Sequence, residues 1–133
     1  ADKDLKINDV ELDIESLKTP QLHNKYSKYH SKYKNLLKVA EQDLARIVRE
    51  KWEYYTGKAD PSVYQEKPFN LKVLRQDVDK YVKSDSDVNK LEQKVTYIET
   101  TVDYLEKTLK IISNRTFTIK NAIDWKKFTS GVI

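Results

Sequence analysis

The chain has 133 residues, 35% of them charged, with two glycines, three prolines and no cysteine. Without cysteine, disulfides, thiol catalysis and cysteine-ligated zinc or iron–sulfur clusters are excluded. High charge with little glycine suits exposed long helices better than sheets, and the length suits one domain.

The formal net charge of +4 hides a segregation along the chain. Residues 1–16 carry net −4, residues 17–60 net +5, residues 61–87 are neutral and residues 88–133 carry net +3. Positive charge gathered in two segments is the electrostatic footprint of an anionic partner. No stretch approaches the roughly 20 consecutive apolar residues that span a bilayer. The acidic, mixed N-terminal segment carries no signal-peptide pattern. No membrane association is expected.

Residues 1–16 alternate acids with isolated Leu, Ile and Val, too sparse for a core helix, and read as a mobile acidic head. Thr19-Pro20 reads as a helix start, with threonine as N-cap and proline at the first helical position. A long helix is predicted over residues 20–56. Leu22, Tyr26, Tyr29, Tyr33, Leu36, Ala40, Leu44 and Ile47 recur on one face. Gly57 supplies a stop, and Asp60-Pro61 delays the next helix.

Lys25, Lys28 and Lys32 each precede a tyrosine, so a lysine row runs beside a tyrosine row. Cations could hold phosphates while rings stack on bases. The favoured reading is simpler: the tyrosines coincide with the apolar seam and the lysines form a solvated face. Further on, Arg46, Arg49, Lys51 and Lys58 surround Trp52, Tyr54 and Tyr55. Three large aromatics within four residues cannot all face one helical seam. These seven residues are the candidate single-strand binding surface, where charge tracks the backbone and rings stack on any base. The competing reading plugs Trp52 and Tyr55 into the core, with Glu50 and Glu53 pairing the cations.

Pro61 to Pro68 reads as a connection, pinned by Val63 and Tyr64. A short helix is predicted over residues 70–83, capped by Asn70, with Leu71, Leu74, Val78, Tyr81 and Val82 on one face. Ser84 or Asp85 caps the last helix, predicted over residues 86–128 with a possible kink at 114–118, where threonines and a phenylalanine are mediocre helix formers.

That last helix carries a heptad seam of Val88, Leu91, Val95, Ile98, Val102, Leu105, Leu109 and Ile112, continued weakly through Thr116, Ile119 and Ile123. With Val88 at position a, Tyr97, Tyr104 and Ile111 all fall at position c. A two-helix pair leaves position c solvated, so an apolar c stripe implies a second neighbour. The reading favoured is packing between subunits; the other is that the remaining long helix of the same chain covers both faces. Trp125 and Phe128, flanking Lys126 and Lys127, are expected to pack on a neighbour; the other reading is that this tail helps bind an anion.

No catalytic constellation is found. His23 and His30 lie on one helix face in a stretch lacking Asp and Glu, which is weak support for a metal site. Two glycines cannot build a phosphate loop or a dinucleotide fingerprint. No enzymatic activity, cofactor or metal is expected. The fold class expected is all-α: one elongated domain over residues 1–133, two long helices joined through a short one, assembling into an oligomer.

Two stretches carry a family resemblance. WEYYTGKAD (Trp52 to Asp60), preceded by Arg49 and Lys51, and ISNRTFTIKNAIDWKKFTSG (Ile112 to Gly131) resemble the UvsY-type recombination mediators of T-even-like bacteriophages. The resemblance covers roughly residues 20–131. It implies a ring-like homo-oligomer, a heptamer, that binds single-stranded DNA in the cytoplasm of the infected host. It also implies contacts with the phage RecA-like recombinase and the phage single-strand-binding protein, and loading of the recombinase onto covered DNA. The family's basic pair before the tyrosine doublet falls on Arg49 and Lys51, with the following cation at Lys58. Arg115, Phe117, Ile119 and Lys120 match a part associated with assembly, which adds Phe117 and Ile119, with Ile123 of the seam, to the oligomerisation residues. Glu50 departs from the pattern: it stands between the basic pair, where a small neutral residue is familiar, and lowers the local positive potential.

Overall fold

The computed structural model describes the backbone of residues 12–129 and the side chains of residues 18–129. Residues 1–11 of the predicted acidic head lie outside the described residues. The described chain is all-helical: α1 (Leu12–Tyr55), α2 (Pro61–Glu66), a 3-10 turn (Arg75–Asp77), α3 (Val78–Lys83) and α4 (Ser86–Thr129). It divides into two compact units. Unit 1 joins the described residues up to Lys34 with those from Thr100 onward; unit 2 is Asn35–Glu99.

Several predicted boundaries need correction. α1 begins at Leu12, so Pro20 lies inside the helix instead of opening it. Before it, Leu12, Glu15, Leu17 and Lys18 are good helix formers, and a proline removes one backbone bond from a long ladder. The connection after Gly57 holds a helical turn of its own, α2, started by Asp60 and Pro61. Asp60 Oδ1 accepts from the Ser62 backbone N–H at 3.0 Å and from the Ser62 hydroxyl at 2.8 Å. These bonds, the backbone one foremost, hold the Asp60 carboxyl below its ordinary pKa. Residues 70–74 are not helical: the predicted short helix shrinks to the 3-10 turn and α3, and Asn70 caps nothing. α4 runs uninterrupted through 114–118. There Thr116 and Thr118 donate their hydroxyls to the Ile112 and Asn114 carbonyls at 3.0 Å each, which lets threonine stay in a helix interior.

Gly57 ends α1 as expected. Its N–H donates to Tyr54 O at 3.2 Å and the Lys58 N–H to Glu53 O at 2.8 Å, the paired bonds of a Schellman motif. This closure needs a left-handed residue, and Gly57 has φ 77°. A Cβ there would meet nothing within 4 Å, so a substitution costs only backbone strain. Gly57→Ala is expected to lower stability by about 1–2 kcal/mol, read as a shift in the chemical-denaturation midpoint at constant m-value.

Unit 1 is built on Tyr26, Leu105 and Ile112, with Leu22, Tyr33 and Leu109 packed around them. Unit 2 is built on Val78, Val82 and Val88, covered by Leu44, Ile47, Trp52, Tyr55 and Val73. The heptad seam of α4 is therefore consumed inside the chain. Val88, Val95, Ile98, Val102, Leu105, Ile112 and Ile119 are buried, and Leu91, Leu109 and Ile123 are half-buried. Val88 packs in the unit 2 core and Leu105, Leu109 and Ile112 in the unit 1 core, so these side chains are covered without a second copy.

Position c behaves differently. Tyr97, Tyr104 and Ile111 are 72%, 50% and 49% exposed, and Phe117 is 67% exposed. Trp125 and Phe128 stack on each other with centroids 5.7 Å apart and remain largely exposed.

Candidate nucleic-acid interface

The seven candidate residues sit on the last three turns of α1 and just beyond Gly57. The fold divides them into two groups. Trp52, Tyr54, Tyr55 and Lys51 are committed to the structure of unit 2. Arg46, Arg49 and Lys58 remain on its surface.

Each aromatic ring has its own partner, supplied by the segment from α2 to α4. Trp52 and Tyr55 pack on the Val78–Val82–Val88 core. Tyr54 stacks on Tyr64 of α2, with centroids 5.4 Å apart and planes 14° apart, and lies 5.4 Å from Phe69. The Tyr64 hydroxyl donates to Tyr54 O at 2.8 Å, and the Tyr54 hydroxyl donates to Lys67 O at 3.0 Å. Tyr55, Phe69 and Tyr81 meet edge-on or tilted at 5.2 to 6.2 Å. Tyr54 and Tyr55 are both half-buried, each against other rings of unit 2. Three aromatics cannot share one seam, but a strap folded over the helix end gives each a separate socket.

Lys51 is likewise engaged. Its ammonium lies 2.9 Å from Asp87 Oδ2 and 3.5 Å from Asp85 Oδ2, and its side chain is only 15% exposed. Asp85 is the hub. Its Oδ2 accepts from the Tyr55 hydroxyl at 2.6 Å. Its Oδ1 accepts from the backbone N–H groups of Asp87 (2.9 Å) and Val88 (3.2 Å), which caps α4. Burial is the largest influence on Asp85 and pushes its pKa up. The Tyr55 hydrogen bond, the two backbone bonds and the Lys51 charge outweigh it and leave the carboxyl below its usual value. Asp87 is held low chiefly by its hydrogen bond to Lys51 and by that charge. Burial alone would lower Lys51, yet the Asp87 bond and the two carboxylate charges leave it raised. Burial first, then the Asp85 bond and charge, push Tyr55 far above the ordinary phenol range. Lys51 is therefore one side of a structural clamp.

Of the surface group, Arg46 pairs with Asp43 one turn back at 3.1 Å. Arg49 is exposed and has no ion pair among the described residues. Lys58 is exposed, with its ammonium 5.1 Å from the Trp52 ring centroid. Glu50 and Glu53, the expected partners of these cations, form no ion pair with them among the described residues.

The lysine row follows the simpler reading at Tyr26 and Tyr33 but not at Tyr29. Lys25, Lys28 and Lys32 are exposed, Tyr26 is buried and Tyr33 half-buried, while Tyr29 is exposed. Lys25 and Lys32 lie over the rings of Tyr26 and Tyr33 at 5.4 and 5.9 Å. His30 Nε2 stands 3.1 Å from Glu106 Oε1, a carboxylate that the local sequence did not reveal, whereas His23 is exposed. Among the described residues, no three of His, Cys, Asp and Glu gather as a metal site, and no helix is long and apolar enough to cross a membrane.

A family model described as "Recombination, repair and ssDNA binding protein UvsY" matches residues 1–132. The chain belongs to the UvsY family. Three crystal structures of the bacteriophage T4 recombination mediator protein UvsY share its fold at 23% identity. Lattice type II matches with a TM-score of 0.83 over 97% of this chain and 91% of that one. Lattice type I gives 0.82 over 96% and 94%, and lattice type IV gives 0.81 over 96% and 92%. A comparison with curated protein sequences finds no significant match. In this UvsY-family chain the basic pair of the first motif is split by the fold: Arg49 points to solvent and Lys51 is clamped. In the second motif Ile119 is internal and Phe117 external, and the half-buried Arg115 has one guanidinium nitrogen, Nη1, without a hydrogen-bond partner among the described residues.

Sequence reasoning missed Asp85 as the partner of Lys51 and Tyr55. It was visible only as a helix cap. Its buried ion pair joins residues 34 positions apart in sequence, beyond the reach of any periodicity.

Proposed function

We propose that this chain is a non-catalytic recombination mediator. It binds single-stranded DNA and promotes loading of a RecA-like recombinase onto DNA covered by single-strand-binding protein. Its place of action is the cytoplasm of an infected bacterial host. The observation that carries this reading is the family match across residues 1–132. The exposed cations Arg49 and Lys58, on a chain of net charge +4, support it. Arg46, though paired at the surface, adds to the same basic area, because an exposed ion pair is weak enough to open toward a phosphate.

The working form is a homo-oligomer, ring-like and heptameric as the family resemblance implies. Copies then hold one strand through several modest sites, and high effective concentration turns these into firm binding. Tyr104, Ile111 and Phe117 of unit 1 are the surface offered to a neighbour, since they stay exposed while the seam beside them is internal. Tyr104→Asp with Ile111→Asp is expected to reduce the mass measured by light scattering to that of a single chain, with helical circular dichroism retained. An unchanged oligomer mass would move the interface elsewhere.

Fluorescence anisotropy with a labelled oligonucleotide tests the DNA reading. Binding is expected at low salt, falling steeply as salt rises because phosphate contacts release counterions. No binding at low salt leaves an adaptor without a DNA role, and rejects the mediator.

A further inference from the structure

Two openings of unit 2 beside the end of α1 differ in sign. A groove of about 430 Å³ under α2 is bordered by Glu50, Glu53, Asp60 and Glu66 against Lys51 and Lys67, which disfavours phosphate. A cleft of about 270 Å³ is lined by Trp52, Thr56, Lys58, Val73, Arg75 and Val78. Its two charged side chains are both cationic, and no carboxylate lines it. Arg75 opens the 3-10 turn, is exposed and has no ion pair among the described residues. The nearby Asp77 is turned to Lys80 at 3.6 Å. The Thr56 hydroxyl already donates to Trp52 O at 2.8 Å, so Lys58 and Arg75 are the charged groups left to the cleft.

We propose that this cleft is a subsite for single-stranded DNA, holding one backbone phosphate between Lys58 and Arg75 with the attached nucleoside against Trp52 and Val73. The proposal rests on the DNA-binding reading above and adds Arg75, which lies outside both family-like motifs. Guanidinium matches two phosphate oxygens in its plane, and the ammonium beside it supplies a second charge. Trp52 is held by the core, so its ring needs no ordering when a base or sugar arrives. Arg75 escapes sequence reading because residues 61–87 are neutral as a whole, and charge counted along a segment averages out a cation that the fold isolates.

The test uses the full chain carrying Trp125→Phe, which leaves Trp52 as the sole tryptophan. Addition of oligothymidylate is expected to change Trp52 emission. Arg75→Ala in that background is expected to weaken affinity about fivefold and to lower the slope of log K against log salt by about 0.7, the loss of one single-strand phosphate contact. Lys83→Ala removes a cation of the same unit outside the cleft and is expected to change affinity by under about twofold. If the parent binds DNA while Arg75→Ala keeps its affinity and salt slope and Trp52 emission does not respond, the cleft is not a subsite and the DNA-binding reading survives. If the parent fails to bind at low salt, both fall. Coincident thermal melts of parent and variant exclude unfolding as the cause of a loss.

Discussion

Asp85→Ala is expected to lower the thermal midpoint by about 10 °C, from a loss of about 3 kcal/mol. The carboxylate performs three tasks at once. It caps α4 through two backbone N–H groups, accepts the Tyr55 hydroxyl and faces the Lys51 ammonium. Alanine uncaps the helix, which alone costs about 1 kcal/mol. It also leaves the Tyr55 hydroxyl without its acceptor and Lys51 with one carboxylate instead of two. Leaving buried polar partners unpaired is costlier than the bond itself. Asp85→Asn keeps its one amide oxygen for the cap at Oδ1 but not the Oδ2 acceptor of Tyr55 and Lys51, and is expected to lose about 1 kcal/mol less than alanine does.

The same cluster sets an acid limit. Asp85 and Asp87 have folded pKa values below the ordinary carboxylate range. Their contribution is therefore complete above the unfolded value, about 3.9, and is lost as pH falls through the lower folded values. Lys51 and Tyr55 are raised, so their contribution is complete below their unfolded values and fades only in strong alkali. The stability gap between parent and Asp85→Asn is expected to be widest near pH 7 and to close toward pH 2, measured by denaturant titration. A gap that stays constant over that range would mean that the Asp85 charge has no part in stability.

Arg49→Glu with Lys58→Glu is expected to reduce single-stranded DNA affinity by at least about tenfold at low salt, with a shallower salt dependence. The thermal midpoint should move by no more than a few degrees, since both side chains are exposed and neither belongs to an ion pair among the described residues. Lys51→Glu is expected to behave in the opposite way. It sets a third carboxylate beside Asp85 and Asp87 and destabilises unit 2 by about 3 kcal/mol. DNA binding lost in that variant would report on folding. The two variants together separate a surface cation from a structural one within a single basic pair. Anisotropy and melting curves on the same samples decide. Equal affinity of the Arg49, Lys58 double variant and the parent would move the site away from the end of α1, most directly to the exposed Lys25–Lys32 row.

The helical class, the identity of α4 and the stop at Gly57 were all legible in the residues. Each is local: heptad spacing, a missing Cβ and a capping carboxylate act within a few residues of themselves. The basic-aromatic stretch at 46–58 was equally plain as composition. What the residues could not disclose was which of its side chains remain available. Lys51 and Arg49 are two positions apart on one helix, yet Asp85 and Asp87 reach the first and, among the described residues, no ion pair forms at the second. Tyr54 and Tyr55 look alike in sequence, yet Tyr64 and Phe69 cover one and Asp85 binds the other. The c stripe at Tyr97, Tyr104 and Ile111 was visible as a pattern, but its exposure depends on where the chain's other elements lie. Periodicity and propensity thus determined the elements by short-range physics. Pairing across long loops decided which charges are neutralised and which rings are sheltered, because those energies depend on distances that only the folded chain defines.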